Sequence, residues 1–190
     1  MSNTFSLNLS DLIESTIFTP YGADANDMAY RADKFLNSLQ YETGDVLEKK
    51  EALQRSLQRW IDMAEGCSIE KLEDNVAVLN GGAFFMGSTM LRDMALRTIC
   101  ERAEAAHTAL RALIRHSGGE VQANALVCAA LAKLVTGQEE EAYDILSIST
   151  DLHPKHSLVD LVWRSMEPGA SRLSIENLCY ASDMTWTITF

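Results

Sequence analysis

Proline is scarce in this chain, with 3 in 190 residues, and glycine is modest at 10. That scarcity excludes the collagen-like and Pro/Gly-rich disordered classes and leaves few forced breaks in the backbone. Positive charge is also short: 16 Lys and Arg stand against 27 Asp and Glu, a net charge of −11. Holding a phosphate backbone takes a basic patch that displaces counterions, so direct binding to DNA or RNA is not expected. No apolar run reaches the roughly 20 residues of a membrane-spanning helix. The N-terminal "MSNTFSLNLSDLIESTIFTP" has neither the basic head nor the apolar centre of a secretory leader. The chain therefore reads as cytoplasmic and not membrane-bound.

Chemical motifs are missing too. Cys67, Cys100, Cys128 and Cys179 form no C-x-x-C pair, which excludes a zinc knuckle or disulfide framework and leaves reduced, mostly buried thiols as the expectation. His107 and His116 fall on opposite sides of a helix, and "HPKH" sets His153 and His156 around a proline at a helix junction, in capping or solvent roles. No H-E-x-x-H pattern occurs, so neither metal nor cofactor is expected. There is no G-x-S-x-G elbow, P-loop or G-x-G-x-x-G; "NGGAFFMGST" lacks the lysine that cradles phosphates and reads as a flexible connector. Catalysis has no visible basis, and the chain is expected not to be an enzyme.

What remains is an ordinary globular composition, 47% apolar and 23% charged, long enough to bury a sizeable core. Acidic residues concentrate in residues 1–45 and 118–167, whereas 94–117 is mildly basic. Ser10 is placed to cap a short helix ending before Pro20, and Asp24 to cap a second whose Met28, Ala32, Phe35, Leu36 and Leu39 recur at helical spacing. A third carries Val46, Leu47, Leu53, Leu57, Trp60, Ile61 and Ala64 on one stripe, up to Gly66, and could pair with a second copy of itself. "IEKLEDNVAVLN" predicts a helix ending at Gly81-Gly82. From Thr89 the pattern continues unbroken to His116, which predicts one helix of about 28 residues. Three more follow, separated by Gly137, Pro154 and Pro168. The tail changes character: "TWTITF" alternates β-branched and aromatic residues, which predicts an extended segment that packs across the helices or serves as a docking peptide. The fold class is all-α, a bundle of about seven or eight helices over residues 1–170 with an extended tail at 171–190.

Two resemblances bear on this. Leu126, Gly137, Ala142, Leu146 and Pro154 are spaced as in one tetratricopeptide repeat, a helix–turn–helix unit of about 34 residues, with no second copy. More widely, "LEDNVAVLN…STMLRDMALRTI" followed by "ANALVCAALAKLVTGQEEEAYDILSISTDLHPKHSLVDLVWRSMEPG" resembles the C-terminal half of domain of unknown function 4192. That family has an Arg-Asp pair in a helix, then an alanine-rich helix, a Gly turn and a last helix ending near Pro. The resemblance covers residues 68–170; the N-terminal half of the family, which carries strands, has no counterpart in residues 1–67, which read as helices. It implies no activity, and its occurrence in actinobacteria and their phages suggests such an origin.

The adjacent Arg92 and Asp93 point about 100° apart on a helix, so they are expected to serve different neighbours, tying this helix to another or meeting a partner. Glu139, Glu140 and Glu141 open a helix as a solvated face that complements its dipole. The expected function is a non-catalytic protein-binding or adaptor protein whose partner meets an acidic surface or the apolar tail with Trp186 and Phe190. Two alternatives stand beside it. One is an acidic inhibitor or nucleic-acid mimic acting on a host nucleic-acid-handling protein; the other is an enzyme with a site near Arg92-Asp93, which a closed, filled core there would dispose of.

Overall fold

The computed structural model describes residues 13–15, 17, 18, 24–41, 46–167 and 171–190. The predicted Ser10 cap, Pro20 stop and Pro168 stop lie outside them. Ten helices follow Asp24: α1 (Ala25–Tyr41), α2 (Val46–Asp62), α3 (Ile69–Glu73), α4 (Val76–Met86), α5 (Thr89–Glu101), α6 (Ala103–His116), α7 (Gly119–Val135), α8 (Glu139–Leu152), α9 (Ser157–Ser165) and α10 (Ser171–Thr189). No strand occurs among the described residues. The all-α class is therefore the class of the fold, with more helices than the sequence separated.

Capping explains the start of α1: Asp24 Oδ1 accepts from the amides of Asn26 (2.6 Å) and Asp27 (3.0 Å), meeting two donors that the first turn leaves open. The amphipathic stripe of α2 is buried at Leu53, Leu57, Trp60 and Ile61, but Leu47 is exposed. Two helices have no solvent face worth the name. In α4 the residues from Asn80 to Met86 are all buried, and α7 is buried from Ala123 to Leu134. An apolar helix is stable only when neighbours cover every side, and α4 meets α1, α2, α3, α5, α6 and α7. Trp60 stacks on Phe85 at 5.9 Å, and Phe84 meets Phe85 edge-on at 5.5 Å. Each such ring contributes about 1.5–3 kcal/mol by leaving water.

Gly81-Gly82 does not end a helix or open a flexible connector, as the pattern predicted; both lie inside α4. A Cβ on Gly82 would sit 3.0 Å from Leu113 and 3.2 Å from Trp60, so the glycines permit close approach of side chains to the α4 backbone. The single helix predicted over Thr89–His116 is also broken, at Arg102, whose backbone leaves the helical region (φ −121°, ψ 40°). No Gly or Pro marks that corner. Arg102 instead reaches Asp62 at 3.0 Å and Glu65 at the end of α2, and the bend lets α6 turn back onto α3, α4 and α7.

The largest departure is the tail, which is α10 and not an extended segment. Its Ser182 is fully buried, and both Ser182 Oγ and the Trp186 indole N–H donate to the Met94 carbonyl, each at 2.9 Å. Arg97 of α5 makes a two-pronged ion pair with Asp183 (2.6 and 2.5 Å). Packing against α5 with i, i+4 spacing overrides the β preference of "TWTITF". Leu178 joins the same apolar core that begins at Ile13.

Candidate functional site

Arg92 lies on the covered side of α5, 4% exposed, and a buried guanidinium must be paired. Its Nε and Nη2 donate to Oδ1 of the adjacent Asp93 at 2.8 and 2.6 Å. The expectation that the two serve different neighbours is therefore corrected: the Cβ bonds diverge, but the long arginine chain curls back along its own helix. Nη1 makes the tie to another helix, donating to Asn124 Oδ1 of α7 at 2.9 Å.

Asn124 is the residue that organises this site, and it is fully buried. Its Nδ2 donates to the Met86 carbonyl at the end of α4 (2.8 Å), which fixes the amide's orientation and leaves Oδ1 as an acceptor. His156 Nε2 is 2.8 Å from that oxygen. The ring hydrogen therefore sits on Nε2, and Nδ1 carries a bare lone pair that is buried without a protein partner. Burial first, then Arg92 and His153, push His156 down to about 4, so the ring is neutral near pH 7.

Arg92 and His156, but not the fully buried Asn124, line an open cavity of about 430 Å³ between the first residue of α5, the start of α7 and the α8–α9 turn. Thr89, Glu120, His153, Lys155 and Ser157 complete its wall. Thr89 Oγ1 lies 3.5 Å from Glu120 Oε1, and His153 Nε2 is a second buried ring nitrogen with no partner. The core around Arg92-Asp93 is thus not closed. His156 precedes α9 but makes no side-chain cap; its ring turns inward, contrary to the capping or solvent role expected from "HPKH". A larger depression of about 570 Å³ runs along α2 and is walled by exposed residues of that helix and by Met63 just after it.

The other candidate residues are dispersed. Glu139, Glu140 and Glu141 are exposed in the first turn of α8, as the solvated face required. Glu141 pairs with the largely buried Lys133 at 2.9 Å, and that hydrogen bond holds its carboxyl below the usual range. Trp186 and Phe190 are half-buried against α5 and stack on each other at 5.8 Å, so they anchor α10 and do not form a free docking peptide. Among the thiols, Cys100 and Cys128 are buried; burial pushes Cys128 up to about 12. No group of three or more His, Cys, Asp or Glu among the described residues is placed to hold a metal ion. No described helix is long and apolar enough to cross a membrane.

A different surface emerges on α8. Buried Ala142, Leu146 and Ser149 define its inner side. On the opposite side Glu140, Asp144 and Asp151 are exposed and fall within about 40° of one line along the helix. Exposed Tyr143, Ile148 and Leu152 flank this row, and Leu161 is exposed on α9, which packs against α8. Asn124 and this face were missed in the sequence for opposite reasons. A lone polar residue in the apolar run of α7 was a usable signal, whereas exposed apolar residues on α8 blend into the helical pattern.

No curated protein and no solved structure matches this chain. Residues 10–171 match the family described as domain of unknown function (DUF4192), a span that reaches well before residue 68 and takes in α1 and α2. By that match over most of its length, the chain belongs to the DUF4192 family.

Proposed function

We propose that this protein is a non-catalytic binding or adaptor protein that meets a basic protein partner through the outer face of the tetratricopeptide-like α7–α8 unit and α9. The observation that carries the reading is the row Glu140, Asp144 and Asp151 set among exposed Tyr143 (55%), Ile148 (50%), Leu152 (55%) and Leu161 (50%). Carboxylates in a row steer a cationic partner and set its orientation, while the aromatic and aliphatic side chains supply the area that desolvates on contact. The test is capture of partners from cell extract by the tagged full chain, with contacts mapped by cross-linking. An Asp144→Lys/Asp151→Lys variant is expected to lose the partner and Tyr180→Ala/Ile188→Ala, exposed residues of α10, to retain it. Equal retention by both would overturn the reading.

The same row favours a second reading, in which the protein inhibits a nucleic-acid-handling enzyme, of phage or host, by occupying its basic cleft. Here the captured partner would be a nucleic-acid enzyme, and added DNA or RNA would displace it from the acidic face in a salt-dependent manner. The cavity at Arg92 keeps an enzymatic reading open to assay as well, with neutral His156 as a group placed to accept a proton.

A further inference from the structure

We propose that the cavity between α5, α7 and the α8–α9 turn binds a protonated phosphate group, either hydrogen phosphate or a phosphate monoester. The inference concerns a different part of the molecule from the acidic α8 face and does not depend on it.

The census of donors and acceptors leads there. A guanidinium has five N–H groups. Arg92 directs Nε and one N–H of Nη2 to Asp93 and one N–H of Nη1 to Asn124, with Nη1 also 3.5 Å from His156 Nε2, which leaves one N–H on Nη2 with no protein acceptor. Arg92 lines the cavity although it is 4% exposed, so these donors belong to a fixed, covered cation and not to a mobile surface side chain. His156, whose ring lies beside Arg92, lines the same cavity and carries a buried Nδ1 without a protein partner, an acceptor locked in that state because Asn124 Oδ1 holds the hydrogen on Nε2. A ligand that satisfies both must present an anionic oxygen to Arg92 and an O–H to His156. A phosphate monoanion carries both; a carboxylate or sulfate near pH 7 has the first and lacks the second.

The remaining groups agree with this. His153 Nε2 also lacks a partner at the wall, and Lys155 stands exposed at the mouth. Two helices, α5 and α9, begin at cavity residues Thr89 and Ser157, and neither has a side-chain cap hydrogen bond, so their first-turn amides add positive potential. Of the two acids near the site, Glu120 lines it and Asp93 does not. Asp93 is engaged with Arg92, and Glu120 sits at the exposed rim beside Thr89. Glu120 repels a dianion more than a monoanion, which again selects the protonated form. The volume of about 430 Å³ exceeds a phosphate group, leaving room for an organic substituent. The depressed His156 keeps its lone pair available across the neutral range.

The test is calorimetry of the full chain with sodium phosphate and sodium sulfate at matched ionic strength, joined to histidine ring NMR. Saturable binding of phosphate is expected at one site, in the region of ~1 mM, with sulfate about tenfold weaker or worse. Resonances of His156 and His153 should move while those of His107 and His116 stay. Affinity should fall as pH rises from about 6 to 8 and the ligand loses its proton. His156→Gln should shrink the phosphate-to-sulfate ratio, and Ser157→Trp, an exposed substitution at the mouth, should abolish binding while the circular dichroism stays unchanged. No saturation by about 20 mM phosphate, equal affinity for sulfate, or undiminished binding by Ser157→Trp would each overturn the proposal.

Discussion

Replacing Asn124 with Ala tests the interior polar network most directly. Asn124 is fully buried and its amide serves three partners: the Met86 carbonyl, Arg92 Nη1 and His156 Nε2. Truncation leaves each without its hydrogen bond and adds a small cavity. A buried group deprived of its partner costs about 1–3 kcal/mol, more when it is charged. Arg92 keeps Asp93, and His156 is only partly buried, so their shares fall at the low end. The sum is about 3–5 kcal/mol, a large part of a domain's usual 5–15 kcal/mol, and corresponds to a melting temperature lower by about 10 °C. Urea unfolding followed by circular dichroism reads the loss. A loss below about 1 kcal/mol for Asn124→Ala would refute the claim that this amide joins α4, α5, α7 and α9.

Acid should weaken the fold. Burial holds His107 and His156 down at about 4, below the ordinary 6.5. The unfolded chain therefore takes up these protons first; their contribution is complete above about pH 6.5 and is lost as pH falls toward 4. The shifts set a ceiling of ~3 kcal/mol each, which solvent screening reduces to about 1–2 kcal/mol; a denaturation midpoint in urea that stays flat between pH 7 and pH 4.5 would contradict it. Trp186→Ala removes the indole that binds the Met94 carbonyl and stacks on Phe190, so hydrogen exchange in α10 should accelerate by about 10²-fold, equivalent to about 3 kcal/mol; unchanged protection there would mean that the tail is held by something else. Gly87→Ala would place a Cβ 2.6 Å from Ala29 Cα and 2.7 Å from the Ala83 carbonyl, both backbone atoms, and should cost about 1–3 kcal/mol in a thermal melt; a neutral result would show that α1 and α4 can separate freely.

The helical periodicity was legible because it is local. Met28 and Ala32 on α1, and Leu53, Leu57, Trp60 and Ile61 on α2, are buried where the stripe put them. Asp24 caps as its position implied, and Gly137 turns the chain at φ +76° between α7 and α8. Breaks were less legible where no Gly or Pro marks them, as at Arg102, and glycines misled where they serve packing instead of turning, as in α4. The site was half visible. Arg92 stood out as a charge in an apolar run, but its partners lie 32 and 64 positions away, on α7 and in the turn before α9.

The sequence by itself determined the all-α class, the amphipathic faces and the acidic balance, because each follows from composition and from spacings within a few residues. Tertiary structure alone decided that the tail is a docked helix, that His156 turns inward, and that buried Asn124 links Arg92 and His156, which share one cavity wall. Those outcomes depend on hydrogen bonds and contacts between residues far apart in the chain. Local preference is worth tenths of a kcal/mol per residue, and burial of a shared polar network outweighs it.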